Sequence, residues 1–308
     1  MNSTKIIKDI ANILHNSSDK YEAHEKLKSH IEHLSEDKKF IHDALKNCVN
    51  NKFFFKNATN LFFYLLVEGD VIIAINLFPP HSNKAKNLSH DNIHHHGWRL
   101  LTTAVISGDG YETISFIKKS HETREGEKVL LKINEDCKHT KGGTKFVDSE
   151  QAHVVFHPES LSSTLAVWSA DKILKNQKVK KFFNKFPTIN KAISSSIHSV
   201  GLSELFGLNS TEGNYFHPEK GIIVETKNYS KPHDGSVDEI LPCMFYFFQQ
   251  IGFNDSEFFL KIKDFIPPNK TFLVDKLIAD EPMQNFGISG DIRRNFSKIQ
   301  ILDALKSN

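Results

Sequence analysis

At 308 residues the chain can bury a large core, and 39% hydrophobic with 25% charged residues is the balance of a globular protein, not of a disordered or fibrous one. Thirty-nine basic against 37 acidic residues leave a net charge of +2, which gives no electrostatic footprint for nucleic acid. The longest apolar runs, "LFFYLLV" and "CMFYFF", fall far short of the ~20 residues of a membrane span, and the N-terminus carries no apolar run long enough for a secretory signal. Cys48, Cys137 and Cys243 form no CxxC pair and no even-numbered framework. They suit a reducing compartment, and a cytoplasmic location is expected.

The first third reads as helix. In "KIIKDIANILHN" the residues Ile6, Ile7, Ile10, Ile13 and Leu14 recur at helical spacing. "SSDKYEAHEKLKSHIEHL" follows with Ser and Asp start signals, and "SEDKKFIHDALKNCVNN" repeats the pattern. His24, His30, His33 and His42 lie on these helices. His30 and His33 have i, i+3 spacing but no HExxH-like context, and are read as a solvated face. Residues 1–66 form an N-terminal helical segment in this reading.

Near residue 70 the pattern changes. "DVIIAINLF", "RLLTTAVIS", "YETISFIKK", "KVLLKIN", "AHVVF" and "TLAVWSA" are short, β-branched and aromatic-rich, and are separated by turns such as "FPPHSN", "GDG" and "KGG". They predict an antiparallel sandwich or small barrel over 67–170. After Asp171 the helical period returns in "DKILKNQKVKKFFNKF" and "INKAISSSIHSVGLSELFGL". A long loop rich in Gly, His and Pro follows, holding His217, His233 and Asp234, with a strand at 221–226. The capping box Ser236-x-x-Glu239 then opens a helix through "EILPCMFYFFQQIGF", with Pro242 in its first turns. "SEFFLKIKDF" and "RNFSKIQILDALKS" read as further helices. Residues 171–308 thus form a mostly helical C-terminal segment.

The residues with the strongest chemical signal lie in "DNIHHHGW". On an extended strand His94 and His96 share one face and His95 takes the other. Two imidazoles at i, i+2 can hold one metal ion. A third ligand must come from an adjacent strand, and "QAHVVFHPES" offers His153 or His157, which lie roughly 13 Å apart along a strand and cannot both serve. His153 begins an apolar strand; His157, followed by Pro, is the alternative. Gly97 could mark a bulge that shifts the phase, turning Arg99, Leu101 and Thr103 toward a cavity. Arg99 would then bind an anionic substrate group; otherwise it is a solvated Arg at a strand start. Trp98 and Trp168 read as core, and Glu112, after the "GDG" turn, is a candidate site residue.

"IHHHGWRLLTTAVISGDGYETISF" resembles the first metal motif of the cupin superfamily, closest to its cysteine dioxygenase-like branch, with Gly108, Glu112 and Thr113 at the turn glycine and Glu-Thr. "AHVVFHPESLSSTLAVWSA" resembles the second motif. The resemblance covers about residues 67–170. It implies a small antiparallel cupin-type β-barrel, which together with the helical segments read on either side makes an α+β chain with a central barrel. It further implies Fe(II) held by His94, His96 and His153, with open positions for a small-molecule substrate and O2, while Zn or Ni would also suit neutral imidazoles. Catalytic roles would fall to Arg99 and Glu112. The family's second-motif His and Tyr correspond to Ala166 and Trp168, and its crosslinking Cys to Leu101. Leu100 and Leu101 stand where a fourth, Glu ligand is expected in the wider superfamily. Two functions are therefore expected: an Fe(II)-dependent oxygenase acting on a small polar metabolite, or a non-redox or non-catalytic metal-binding cupin that senses or scaffolds.

Overall fold

The computed structural model describes residues 2–50, 54–55, 61–82, 87–90, 93–117, 129, 131–171, 213–217, 222–226, 237–283, 288 and 296–306. The two helices expected between 171 and 210, His233, Asp234 and Ser236 lie outside them.

The chain opens with α1 (Ser3–Asn16), α2 (Lys20–Glu36) and α3 (Lys38–Val49). Each starts where a short polar side chain accepts a backbone N–H of the first turn: Asn2 from Thr4, Asp19 from Glu22, Asp37 from Phe40. Their apolar stripes (Ile6, Ile10 and Leu14; Leu27, Ile31 and Leu34; Phe40, Ile41 and Leu45) are buried in one cluster.

The strands are β1 (Phe62–Glu68), β2 (Val71–Phe78), β3 (His94–His95), β4 (Arg99–Ser107), β5 (Tyr111–Phe116), β6 (Ile133–His139), β7 (Thr144–Val147), β8 (His153–Val155), β9 (Ser162–Ala170), β10 (Gly213–His217) and β11 (Ile222–Thr226). β1 begins five residues before the expected start of the β unit at 67. It forms a hairpin with β2 around Gly69, whose φ of +62° suits glycine in the tight turn.

The strands build two antiparallel sheets, ordered β1-β2-β9-β4-β7 and β11-β10-β3-β8-β5-β6. This corrects the expectation of a closed barrel. β7 and β6 face each other at the edges of the two sheets, joined by side chains: Lys145 Nζ donates to Glu135 Oε2 at 2.8 Å and to Cys137 Sγ at 2.9 Å. β6 carries "INEDCKH", whose outward residues are mostly exposed and charged, a composition that blunts an edge against further pairing.

The centre of the five-stranded sheet is buried on both faces, so β9 reads as continuously buried rather than alternating. Ile73, Ile75, Leu165 and Val167 point into the core shared with the helices, while Ala74, Ala166 and Trp168 point to the opposite side with Leu101 and Val147. The C-terminal helices α4 (Val237–Gln250), α5 (Ser256–Lys263) and α6 (Phe272–Ile278) join the same core as the N-terminal ones. Phe247 and Phe248 of α4 each pack 5.8 Å from Phe63 of β1. α7 (Lys298–Lys306) lies in a second cluster with Ile114, Val154 and Phe156 of the six-stranded sheet. The helices α1–α6 therefore pack on the five-stranded sheet and α7 on the six-stranded one, and the inner faces of both sheets are left to line a cavity.

Candidate metal centre

β3 is only two residues long, yet its register decides the site. His94 pairs directly with His153 of the antiparallel strand β8. Alternation then carries His96 to the same side. The three rings stand 4.5 to 5.0 Å apart between centroids, and one ring nitrogen from each lies within 4.8 Å of the others. His95 takes the opposite face but is buried rather than at the surface, and its Nδ1 accepts the Gly97 N–H at 3.0 Å. Gly97 has φ +59°. That left-handed residue turns the chain from β3 into β4, after which Leu101 and Thr103 line the cavity.

His96 Nε2 and His153 Nε2 approach to 3.1 Å. Two ligands about 2.1 Å from one ion, at angles of 90–110°, lie about 3.0–3.4 Å apart, so the spacing fits a shared metal. His153 Nδ1–H donates to the Gln151 carbonyl at 3.1 Å, which turns the Nε2 lone pair toward the partner rings. Burial first, then the neighbouring imidazoles, hold both His96 and His153 well below the ordinary histidine range. Both of these rings are held in the neutral form, the one that binds metal. Among the described residues this is the one group of three or more His, Cys, Asp or Glu side chains with such convergence.

The cavity beneath these rings has a volume of about 160 Å³. It is walled by Phe62, Phe78, Leu101, Val147, Val155 and Trp168, with Asn76, Thr103, Tyr111, Thr113, Lys145 and Thr164 supplying polar atoms. Thr103 Oγ1 lies 3.2 Å from Nε2 of His139, whose pKa burial pushes down to about 4.

The other candidates fall elsewhere. Nδ1 of His157 donates to the Pro79 carbonyl at 2.8 Å, and the ring stands 5.2 Å from His81 and 4.9 Å from His90, apart from the three-His group. Burial is the main cause that pushes His157 down to about 3. Arg99, at the head of β4, does not line the cavity, although its charge acts on His96. Glu112 sits between the lining residues Tyr111 and Thr113 and faces away, where its Oε2 pairs with Lys298 Nζ at 3.1 Å.

Sequence reasoning passed over Lys145, Asn76 and Thr164. Asn76 had a readable signal, being the lone polar residue of "VIIAINLF". Lys145 sits in the four-residue strand "TKFV", too short to show alternation.

No family model matches the chain, and no curated protein does. Among solved structures, a protein with a double-stranded beta-helix domain from Klebsiella pneumoniae is 14% identical, with 37% of this chain and 80% of that chain covered at a TM-score of 0.24. A cupin protein from Bacteroides fragilis is 11% identical over 34% of this chain and 70% of that one, at a TM-score of 0.24. Hydroquinone 1,2-dioxygenase PnpCD in complex with Cd2+ and 4-hydroxybenzonitrile is 12% identical over 41% and 75%, at a TM-score of 0.28. These are partial likenesses, and the case for the metal centre stays with its own geometry.

Proposed function

We propose that the chain is a cupin in which His94, His96 and His153 hold a divalent transition metal, Fe(II) before Zn or Ni, and that it oxidises a small molecule with O2. The observation that carries this reading is the convergence of three imidazoles at one end of a largely apolar cavity. Three neutral ligands suit Fe, Zn, Ni or Cu over Mg or Ca, and leave coordination positions open. When bound, the ion supplies Lewis acidity and a place to activate O2. The protein side chains orient the substrate and keep bulk water away. Arg99 contributes through its charge at His96, while Glu112, turned away from the cavity onto Lys298, ties α7 to β5 and does not touch the substrate. Cysteine oxidation is not proposed, because Ala166, Trp168 and Leu101 stand where the cysteine dioxygenase-like branch has His, Tyr and Cys. Cys48, Cys137 and Cys243 are not joined in disulfides, which fits a reducing cytoplasm. Among the described residues no helix is long and apolar enough to cross a membrane.

Ala166 and Trp168 also favour a second reading, since β9 offers the cavity no strong acid or base beside the metal. On that reading the chain is a zinc-loaded cupin that binds a ligand without redox chemistry.

Metal analysis of anaerobically purified protein separates the two. About one iron per chain, lost in His94→Ala and in His153→Ala, with O2 uptake on adding substrates, supports the oxygenase. Zinc alone without O2 uptake supports the second reading. A wild type that takes up no metal even on reconstitution overturns both.

A further inference from the structure

At the inner face of the five-stranded sheet, Asn76 of β2 stands in register opposite Thr164 of β9. Both line the cavity of the metal centre. Asn76 Oδ1 and Thr164 Oγ1 are buried, and neither has a hydrogen-bond partner. Thr164 is fully buried, with 0% exposure. Two orphaned polar atoms side by side in an interior are costly, on the order of 1–3 kcal/mol each, and native proteins keep such groups where something else satisfies them.

The chemistry of the pair is specific. A carboxamide oxygen only accepts, while a threonine hydroxyl both donates and accepts. One ligand hydroxyl meets both: its O–H donates to Asn76 Oδ1 and its oxygen accepts from Thr164 Oγ–H. A ligand ammonium would need a buried counter-charge, and the described lining residues include no carboxylate. A ligand carboxylate would set its charge against Asn76 Oδ1. The lining cation, Lys145, is already paired with Glu135 at 2.8 Å and leaves little net charge to attract an anion.

Size and walls narrow the class further. A cavity of roughly 150 Å³ accommodates a benzene-sized guest, and this one measures about 160 Å³. Ala166, paired in register with Ala74, leaves room beside the Asn76–Thr164 pair, and Phe62, Phe78, Tyr111 and Trp168 offer aromatic walls.

We infer that this cavity takes a neutral, ring-sized hydroxyl compound, a phenol or compact alcohol, whose hydroxyl docks between Asn76 and Thr164. The inference rests on the cavity being the ligand site of the proposed metal centre, but the hydroxyl pocket is read without the metal.

The test compares phenol with its near-isostere toluene, by calorimetry or ligand-observed NMR, on metal-loaded protein and on protein stripped with chelator, both anaerobic. The metal content of each sample is measured alongside, so a failed metal centre and a failed hydroxyl pocket give different results. Phenol is expected to bind the wild type at least as tightly as toluene, although its hydroxyl is costlier to remove from water. Asn76→Leu and Thr164→Val should each lower the phenol-to-toluene affinity ratio about three- to tenfold, the worth of one neutral hydrogen bond. Thr164→Val should also melt no lower than wild type when ligand-free, because a methyl replaces an unpaired hydroxyl. The inference is overturned if toluene binds the wild type better, if neither compound binds, or if the ratio survives both substitutions. Benzoate or benzylammonium binding more tightly than phenol would overturn it as well.

Discussion

His24 offers a stability prediction whose sign and size follow from four atoms. It sits fully buried on α2 against the five-stranded sheet, with Nδ1 2.8 Å from Thr102 Oγ1 and Nε2 2.9 Å from Ser169 Oγ. Ser169 gives its own proton to the Ala170 carbonyl at 3.1 Å. Its oxygen therefore accepts from Nε2–H, and Thr102 donates to Nδ1. The ring is a neutral clamp between α2, β4 and β9. Burial, with the nearby Lys20 charge, pushes its pKa from about 6.5 down to about 4. Above pH 6.5 the folded and unfolded chains both carry it neutral, and its stabilisation is fully present. As the pH falls from 6.5 to 4 the unfolded chain takes up a proton that the folded chain refuses. The loss reaches roughly 3 kcal/mol below pH 4, at about 1.4 kcal/mol per tenfold. His24→Leu removes the clamp and leaves Thr102 Oγ1 buried without its partner, so at pH 7.5 the variant should be less stable by about 2–4 kcal/mol. Urea unfolding of both proteins at pH 7.5, 6.0, 5.0 and 4.5 tests this. Other buried histidines, such as His139 and His157, are common to both proteins and cancel in the difference. The gap should shrink steadily with acid; a gap that stays constant across the series, or is absent at pH 7.5, refutes the reasoning.

Two further outcomes are expected. His157→Ala should keep the metal stoichiometry of the wild type while melting lower, since the Pro79 carbonyl loses its donor at a cost of about 1–3 kcal/mol; loss of metal in this variant would make His157 a ligand. Gly97→Ala forces a side chain onto φ +59°, which costs about 1–2 kcal/mol and strains the turn that sets His96 and Leu101 on the cavity; metal titration should show weaker binding, and unchanged affinity would mean the turn does not position the site.

The helices were legible because their periodicity and polar starts act locally: the start signals ahead of α2 and α3 contain Asp19 and Asp37, which cap them. The His94–His96 pair was legible for the same reason, since alternation on a strand needs no knowledge of its neighbours. His153 needed one inter-strand register, and the pairing with His94 supplies it. What stayed hidden depends on long-range packing. "FFYLLVE" shows no polar alternation, and only pairing with β2 makes it a strand. β6 is so polar that it lacks an apolar pattern, because it is an edge. The split into two sheets was hidden as well, because β6 and β7 belong to different sheets and meet through side chains, which strand patterns do not encode. The role of the C-terminal helices was equally illegible: their apolar faces fit a partner chain as well as this chain's own core, where α4 packs on β1. Lys145, not Arg99, is the cation on the cavity wall, for the phase after Gly97 says which side Arg99 takes but not how far the cavity extends.

The central claim, a metal held by three imidazoles, is tested most directly by X-ray absorption on the metal-loaded protein beside His96→Ala. Three histidine nitrogens at about 2.1 Å, with oxygen donors completing the shell, are expected in the wild type, and one imidazole fewer in the variant. A shell of oxygen or sulfur ligands without imidazole scattering, or the same imidazole count in His96→Ala, would contradict it.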